Sequence, residues 1–234
     1  MVIEDLVKRS PLRVLERSIH GGLGKGNIGV LASRKGVGKT ACLVHLATDK
    51  LFQGKPVIHV SYASRVDHII TWYEDIFREL ARRIEIEPAA EIHDELVKKR
   101  VIMNFNQEGM RTEQVLRSLE AMIRDGRFAA ETIIVDGFSF PQSSADDLRR
   151  FKEFAGRMDL ELWFSASLKA PDPLFDEQGI PFELKPCLDG IDVLITLRHW
   201  NDRVQLRLVK DHGFSSPPEL RLSLDPTTLL IAEP

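Results

Sequence analysis

Residues 33–40 read Ser33-Arg34-Lys35-Gly36-Val37-Gly38-Lys39-Thr40. Glycines at 36 and 38 let backbone amides curl around an anion. The lysine adds a cation, and the hydroxyl of Thr40 adds an oxygen that can face a metal. The pattern is G-x-x-x-x-G-K-[ST], with Ser33 standing where the first glycine belongs. An apolar run at 27–32 precedes it and a helical pattern follows, so the loop opens a helix whose N-terminus favours negative charge. In this reading Ser33, Gly36, Val37, Gly38, Lys39 and Thr40 cradle phosphate, Lys39 reaches the β- and γ-phosphates, and Thr40 holds Mg²⁺. A second group, Asp136, ends the apolar run Ile133-Ile134-Val135. A carboxylate there can hold the Mg²⁺ shell through water. Cys42 and His45 lie on the helix after the loop, and their positions predict packed side chains rather than catalysts.

The elements that must position these residues alternate along the chain. Apolar runs at 27–32, 57–62, 101–105, 132–135 and 160–166 predict strands. Helical spacing at 39–53, in the 69–84 stretch, at 89–98, in the 115–123 stretch and in the 148–158 stretch predicts helices between them. Gly54 and Pro56 close the first of these helices. Near-continuous apolar strands separated by helices predict a parallel sheet covered on both faces. The last quarter changes period. Val193, Ile195 and Leu197, then Val204, Leu206 and Leu208, then Leu220, Leu222 and Leu224 alternate with other residues. Period two predicts antiparallel strands over 191–231. The stretch 170–186, with four prolines, reads as the longest loop.

The chain has 234 residues, 43% of them hydrophobic and 29% charged, with a net charge of −3. That length supports a full core without staples, and the charge argues against a binder driven by bulk attraction to nucleic acid. Two distant cysteines make neither a disulfide framework nor a zinc site and point to a reduced, cytoplasmic setting. No apolar run reaches the roughly 18 residues of a membrane span. Without repeats or a Gly/Ser linker, 1–234 reads as one domain, with 1–26 as its lead-in segment.

The sequence resembles the RecA-type P-loop ATPases, in the branch of the clock ATPase KaiC and the replicative helicase DnaB. Leu15-Glu16-Arg17-Ser18-Ile19-His20-Gly21-Gly22-Leu23-Gly24-Lys25-Gly26 is similar to the segment that leads into that fold. The phosphate loop is similar to the DnaB type, where the first glycine is also often absent. Val60-Ser61-Tyr62 corresponds to the second strand, Asp136 to the Walker B aspartate, Leu162 to Ser167 to the sensor strand, and Val209-Lys210-Asp211-His212-Gly213 to a late strand-to-loop motif. The resemblance covers about residues 12–231. It implies ATP rather than GTP, and homo-oligomers, rings included, with nucleotide between subunits and Lys210 and His212 as contacts in trans.

Two departures bear on catalysis. Where the family carries a catalytic glutamate after the second strand, this chain has Ala63 and then Ser64. Asp67 and Glu74 are the nearby carboxylates that could substitute. Where the family carries a finger arginine, this chain has His212, which lacks the planar fork and is only partly protonated near neutral pH. The sensor residue is Ser167 in one register and Leu168 in another. General-base catalysis contributes about 10²- to 10⁴-fold and an arginine finger about 10³- to 10⁵-fold. The expectation is a Mg-ATP-binding protein with slow or absent hydrolysis, a nucleotide-gated regulatory or assembly ATPase with a protein partner. The alternative is a nucleic-acid-dependent motor. The helical spacing of Trp72, Tyr73 and Phe77 predicts core or interface. The basic pairs Arg82-Arg83 and Arg149-Arg150, and the run Lys98-Lys99-Arg100, read as solvated faces.

Overall fold

The computed structural model describes residues 2–63, 66–84, 88–105, 111–140, 144–214 and 219–233. Strand β1 (Ile28–Ser33) is buried at every position because other strands flank it on both sides and helices cover both faces. Strands β2 (Val57–Ser61), β3 (Arg100–Asn104), β4 (Thr132–Asp136) and β5 (Glu161–Ser167) run parallel to it, in the order β3-β2-β4-β5-β1. β6 (Val193–Trp200) has a double role. It pairs in parallel with β1 through Val193 to Thr196, and antiparallel with β7 (Arg203–Asp211) along its whole length. β8 (Leu222–Leu224) and β9 (Ile231–Ala232) continue the antiparallel extension. The expected RecA-like α/β architecture, mostly parallel with an antiparallel C-terminal extension, is what forms.

Alternation sorts the side chains between two cores. Leu31, Ile134, Trp163, Val193, Ile195, Val204 and Leu206 face one side, under α3 (Lys39–Phe52) and α4 (Asp67–Ile84). Ile28, Val30, Ile133, Leu162, Phe164 and Leu194 face the other, under α6 (Thr112–Arg124) and α7 (Ala145–Met158). Helix α5 (Ala89–Lys98) leads into β3. Gly29 is demanded by packing: a Cβ there would meet the Trp163 indole at 2.4 Å.

Several features depart from the sequence reading. The 1–26 segment contains two short helices, α1 (Val2–Arg9) and α2 (Leu12–Ser18), which bury Leu6, Leu12 and Leu15 against the first core. The proline-rich loop contains a 3₁₀ segment, Phe182–Gly190, which docks Leu184 and Cys187 into the second core. β9 has only two residues. Helix α3 is not amphipathic: every residue except Thr40 is buried. Tyr73 is buried and Phe77 packs on Phe52, so the aromatic stripe of α4 is core. The basic pairs are tied to acids on neighbouring turns, Arg82 to Glu79 and Arg149 to Asp146, whereas Arg100 lies over the Tyr73 ring at 4.2 Å. Among the described residues no helix is long and apolar enough to cross a membrane.

Candidate functional site

The end of β1 delivers Ser33 into the turn that opens α3. Gly36 has φ +84 with nothing within 4 Å of a Cβ built on it, so it supplies left-handed backbone beside open space. Gly38, at φ +115, is constrained twice. Its backbone lies outside the range of other residues, and a Cβ would meet Leu224 Cδ2 at 2.3 Å. β8 therefore packs directly on the loop. No side chain caps the N-terminus of α3 and its first turn holds no acid, so its free N–H groups remain available to an anion.

Lys39 folds back across the turn. Its Nζ donates to the Ser33 and Arg34 carbonyls at 3.2 and 2.9 Å and to Ser33 Oγ at 3.2 Å. The Ser33 hydroxyl in turn donates to the Arg34 carbonyl at 3.0 Å. This accounts for serine at the missing-glycine position. Ser33 completes β1 in extended backbone, where no positive φ is needed, and its hydroxyl helps hold the lysine. Burial pushes Lys39 down to about 8, only partly offset by the negative charge of Asp136. A desolvated ammonium of this kind gains by meeting phosphate.

Thr40 and Asp136 come together: Thr40 Oγ1 donates to Asp136 Oδ2 at 2.9 Å. Asp136 ends β4, and Gly137, at φ +86, turns the chain away. The Gly137 N–H donates to Ser165 Oγ on β5 at 2.8 Å, and the Tyr62 N–H donates to the Asp136 carbonyl at 3.0 Å. Neither Ser165 nor Leu224 carries a local sequence signal; only strand pairing and packing bring them to the site.

The other expected positions divide. Ser167 is the last residue of β5, level with Ser33, whereas Leu168 is buried in the second core, so the polar register is the one facing the loop. Ala63 is exposed just beyond β2, whose Ser61 is level with Asp136, and its N–H donates to Ser61 Oγ at 3.2 Å. Ser64 lies outside the described residues. Glu74 is committed elsewhere: it pairs with His93 at 2.7 Å and approaches Arg100 at the start of β3, the end of the sheet away from the loop. Asp67 opens α4. Arg34 pairs with Asp172 at 3.0 Å, which gives the loop an ionic tie to the chain after β5.

Lys210 and His212 are not brought to this chain's own loop. Lys210 is level with Leu194 and Asp211 with Val193, near the amino end of β1. Four strand residues separate that level from Ser33, about 13 Å at 3.3 Å each. Lys210 Nζ donates to the carbonyls of Leu188 and Ile191. His212 Nδ1 meets Asp211 at 2.7 Å and its Nε2 meets the Leu23 carbonyl at 3.1 Å. Burial works to lower the His212 pKa, but these two hydrogen bonds and the Asp211 charge outweigh it and raise the pKa overall. Cys42 is buried and its thiol is pushed up to about 12 by desolvation. His45 is buried and neutral, held down to about 4 by desolvation, and its Nδ1 accepts the Ile231 N–H at 2.9 Å.

No protein-family model matches the chain, and no curated protein matches it. Among solved structures, the ATPase domain of a DnaB-like helicase superposes with a TM-score of 0.69. The match covers 95% of this chain and 89% of that one at 14% identity, a likeness of fold.

Proposed function

We propose that the chain binds Mg-ATP and hydrolyses it slowly or not at all, acting as a nucleotide-gated regulatory or assembly ATPase. The observation that carries this reading is the convergence of Lys39, Thr40 and Asp136 at the uncapped N-terminus of α3. Hard oxygen donors such as the Thr40 hydroxyl and the Asp136 carboxylate suit Mg²⁺, and the open space at Gly36 suits a phosphate chain. Mg²⁺, when bound, neutralises charge on the β- and γ-oxygens. Lys39 binds phosphate as a point charge, the amides of residues 36–40 orient it, and Asp136 holds Thr40 toward the metal.

The low-turnover part rests on Ala63. A methyl group beyond β2 cannot accept a proton from water or orient it, and Glu74 is held at the far end of the sheet. The assembly part rests on Lys210 and His212. Their distance from this chain's own loop leaves a second copy as the phosphate site they serve, and Lys210 must release two carbonyls to reach it. The reading is a single nucleotide-binding domain in the cytoplasm, with a protein partner.

The test is ATP and ADP affinity, phosphate release and solution mass, each with and without Mg²⁺. The expected result is tight nucleotide binding, slow release, and a mass that rises with Mg-ATP. Rapid release abolished by Lys39→Ala would overturn the low-turnover part, and an unchanged monomer would overturn the assembly part.

A second reading, a nucleic-acid-dependent motor, is favoured by one surface. Arg198, Arg203 and Arg207 share a face of the β6–β7 hairpin with Trp200, which is 68% exposed, and none has an ion-pair partner among the described residues. Arginines without acidic partners beside an exposed indole suit single strands. Phosphate release stimulated by single-stranded DNA, with a steep salt dependence, would select this reading.

A further inference from the structure

At the other end of α3 lies a cavity of about 270 Å³, walled by Leu6, Phe52, Leu80 and Leu230. A cavity of roughly 150 Å³ holds benzene, so this one accommodates a ring with a short substituent. Two polar side chains from α3 interrupt its apolar wall, His45 and Asp49. They stand four residues apart, one turn, on the same helix face.

Both are buried, His45 to 1% and Asp49 to 3% exposure, and both have unused hydrogen-bonding capacity. His45 Nδ1 accepts the Ile231 N–H, which requires that nitrogen to be bare and puts the imidazole proton on Nε2. No acceptor meets Nε2 among the described residues. Asp49 Oδ2 takes Arg13 and Gln53, while Oδ1 is buried with no partner. A buried group without a partner carries its full desolvation cost, so a ligand that satisfies it is favoured.

We infer that this cavity binds a small uncharged ring compound bearing an amide or lactam edge, its carbonyl accepting from His45 Nε2–H and its N–H donating to Asp49 Oδ1. A cationic amine fits less well. It offers no acceptor to His45, and Arg9 and Arg83 line the same cavity. A carboxylate fits less well because it presents no donor to Asp49. The site adds to the nucleotide reading and does not depend on it.

The test uses the full chain without nucleotide and benzamide as the probe, with ethylbenzene as a ring of similar size lacking the edge. Nitrogen-15 spectra of the imidazoles report on His45 directly. Saturable movement of the His45 Nε2 signal with benzamide is expected, with affinity at least tenfold above that of ethylbenzene. Leu80→Trp fills the cavity and leaves both polar groups in place, so it should weaken benzamide binding at least tenfold; Asp49→Leu should do the same. The inference is overturned by an unmoved His45 signal, by ethylbenzene binding as well as benzamide, or by undiminished binding to Leu80→Trp. Concentration-dependent shielding of His45 without any probe would overturn it too, because the cavity would then be a contact between copies.

Discussion

Replacing Gly38 by alanine tests whether β8 shapes the phosphate loop. Two costs add at this position. A non-glycine residue at φ +115 is strained by about 1–3 kcal/mol. The new methyl also falls 2.3 Å from Leu224 Cδ2, an overlap of the kind that costs about 1–3 kcal/mol when a core is overpacked. Gly38→Ala should therefore destabilise by about 2–6 kcal/mol, read as a drop in the urea midpoint with an unchanged slope. Leu224→Ala alone leaves a hole in the first core and should cost about 2–5 kcal/mol. In the double variant the small residue at 224 makes room for the methyl at 38. The overlap disappears and the backbone strain remains, so the double variant should be about 1–3 kcal/mol more stable than the sum of the singles predicts. ATP affinity should follow, with Gly38→Ala weakened and the double variant partly restored. Strict additivity in both measurements would refute direct packing of Leu224 on the loop.

Ala63→Glu should raise phosphate release by about 10²-fold or more if water is otherwise in place; an unchanged single-turnover rate would show that the missing carboxylate is not what limits hydrolysis. His45 has a folded pKa of about 4 against 6.5 unfolded, so its contribution is fully present above pH 6.5 and is lost as pH falls toward 4. The shift corresponds to about 3 kcal/mol. His45→Gln keeps an acceptor for Ile231 and should flatten the acid limb of a stability–pH profile; an unaltered limb would contradict the buried neutral imidazole. Cys42 is held up to about 12 and Cys187 is also raised by burial, so neither should react with a thiol reagent at pH 8 until the protein unfolds. Fast labelling of the native protein would contradict their burial. Lys39→Met should remove most nucleotide affinity without lowering the melting temperature, since it deletes a desolvated charge; a large loss of stability would mean that the lysine is chiefly a structural brace.

Much of the sheet was legible because parallel strands covered on both faces write themselves as unbroken apolar runs, as in Ile133-Ile134-Val135. The phosphate loop was legible because its glycines answer local backbone demands. What escaped depends on distant neighbours. α1 and α2 have eight and seven residues, too few turns for a period to register, and fold because Leu6, Leu12 and Leu15 find the core. The Phe182–Gly190 segment contains Pro186, and its 3₁₀ turns leave no helical repeat. β9 exists because His45, 186 residues away in sequence, accepts its Ile231 N–H. Ser33 read as an imperfect match in one dimension, yet in three it is a ligand of Lys39.

The enclosure of α3 has a consequence in time. Its amides lie under side chains on every face except at Thr40, so they should exchange with solvent deuterium only through global opening. The turn before it, with Gly36 beside open space and Arg34 held by an exposed ion pair, belongs to the fast-opening part of the molecule. The phosphate site therefore straddles a boundary between the slowest and the fastest clocks in the chain. Nucleotide can enter and leave at the pace of the turn while the helix that reads its charge stays fixed.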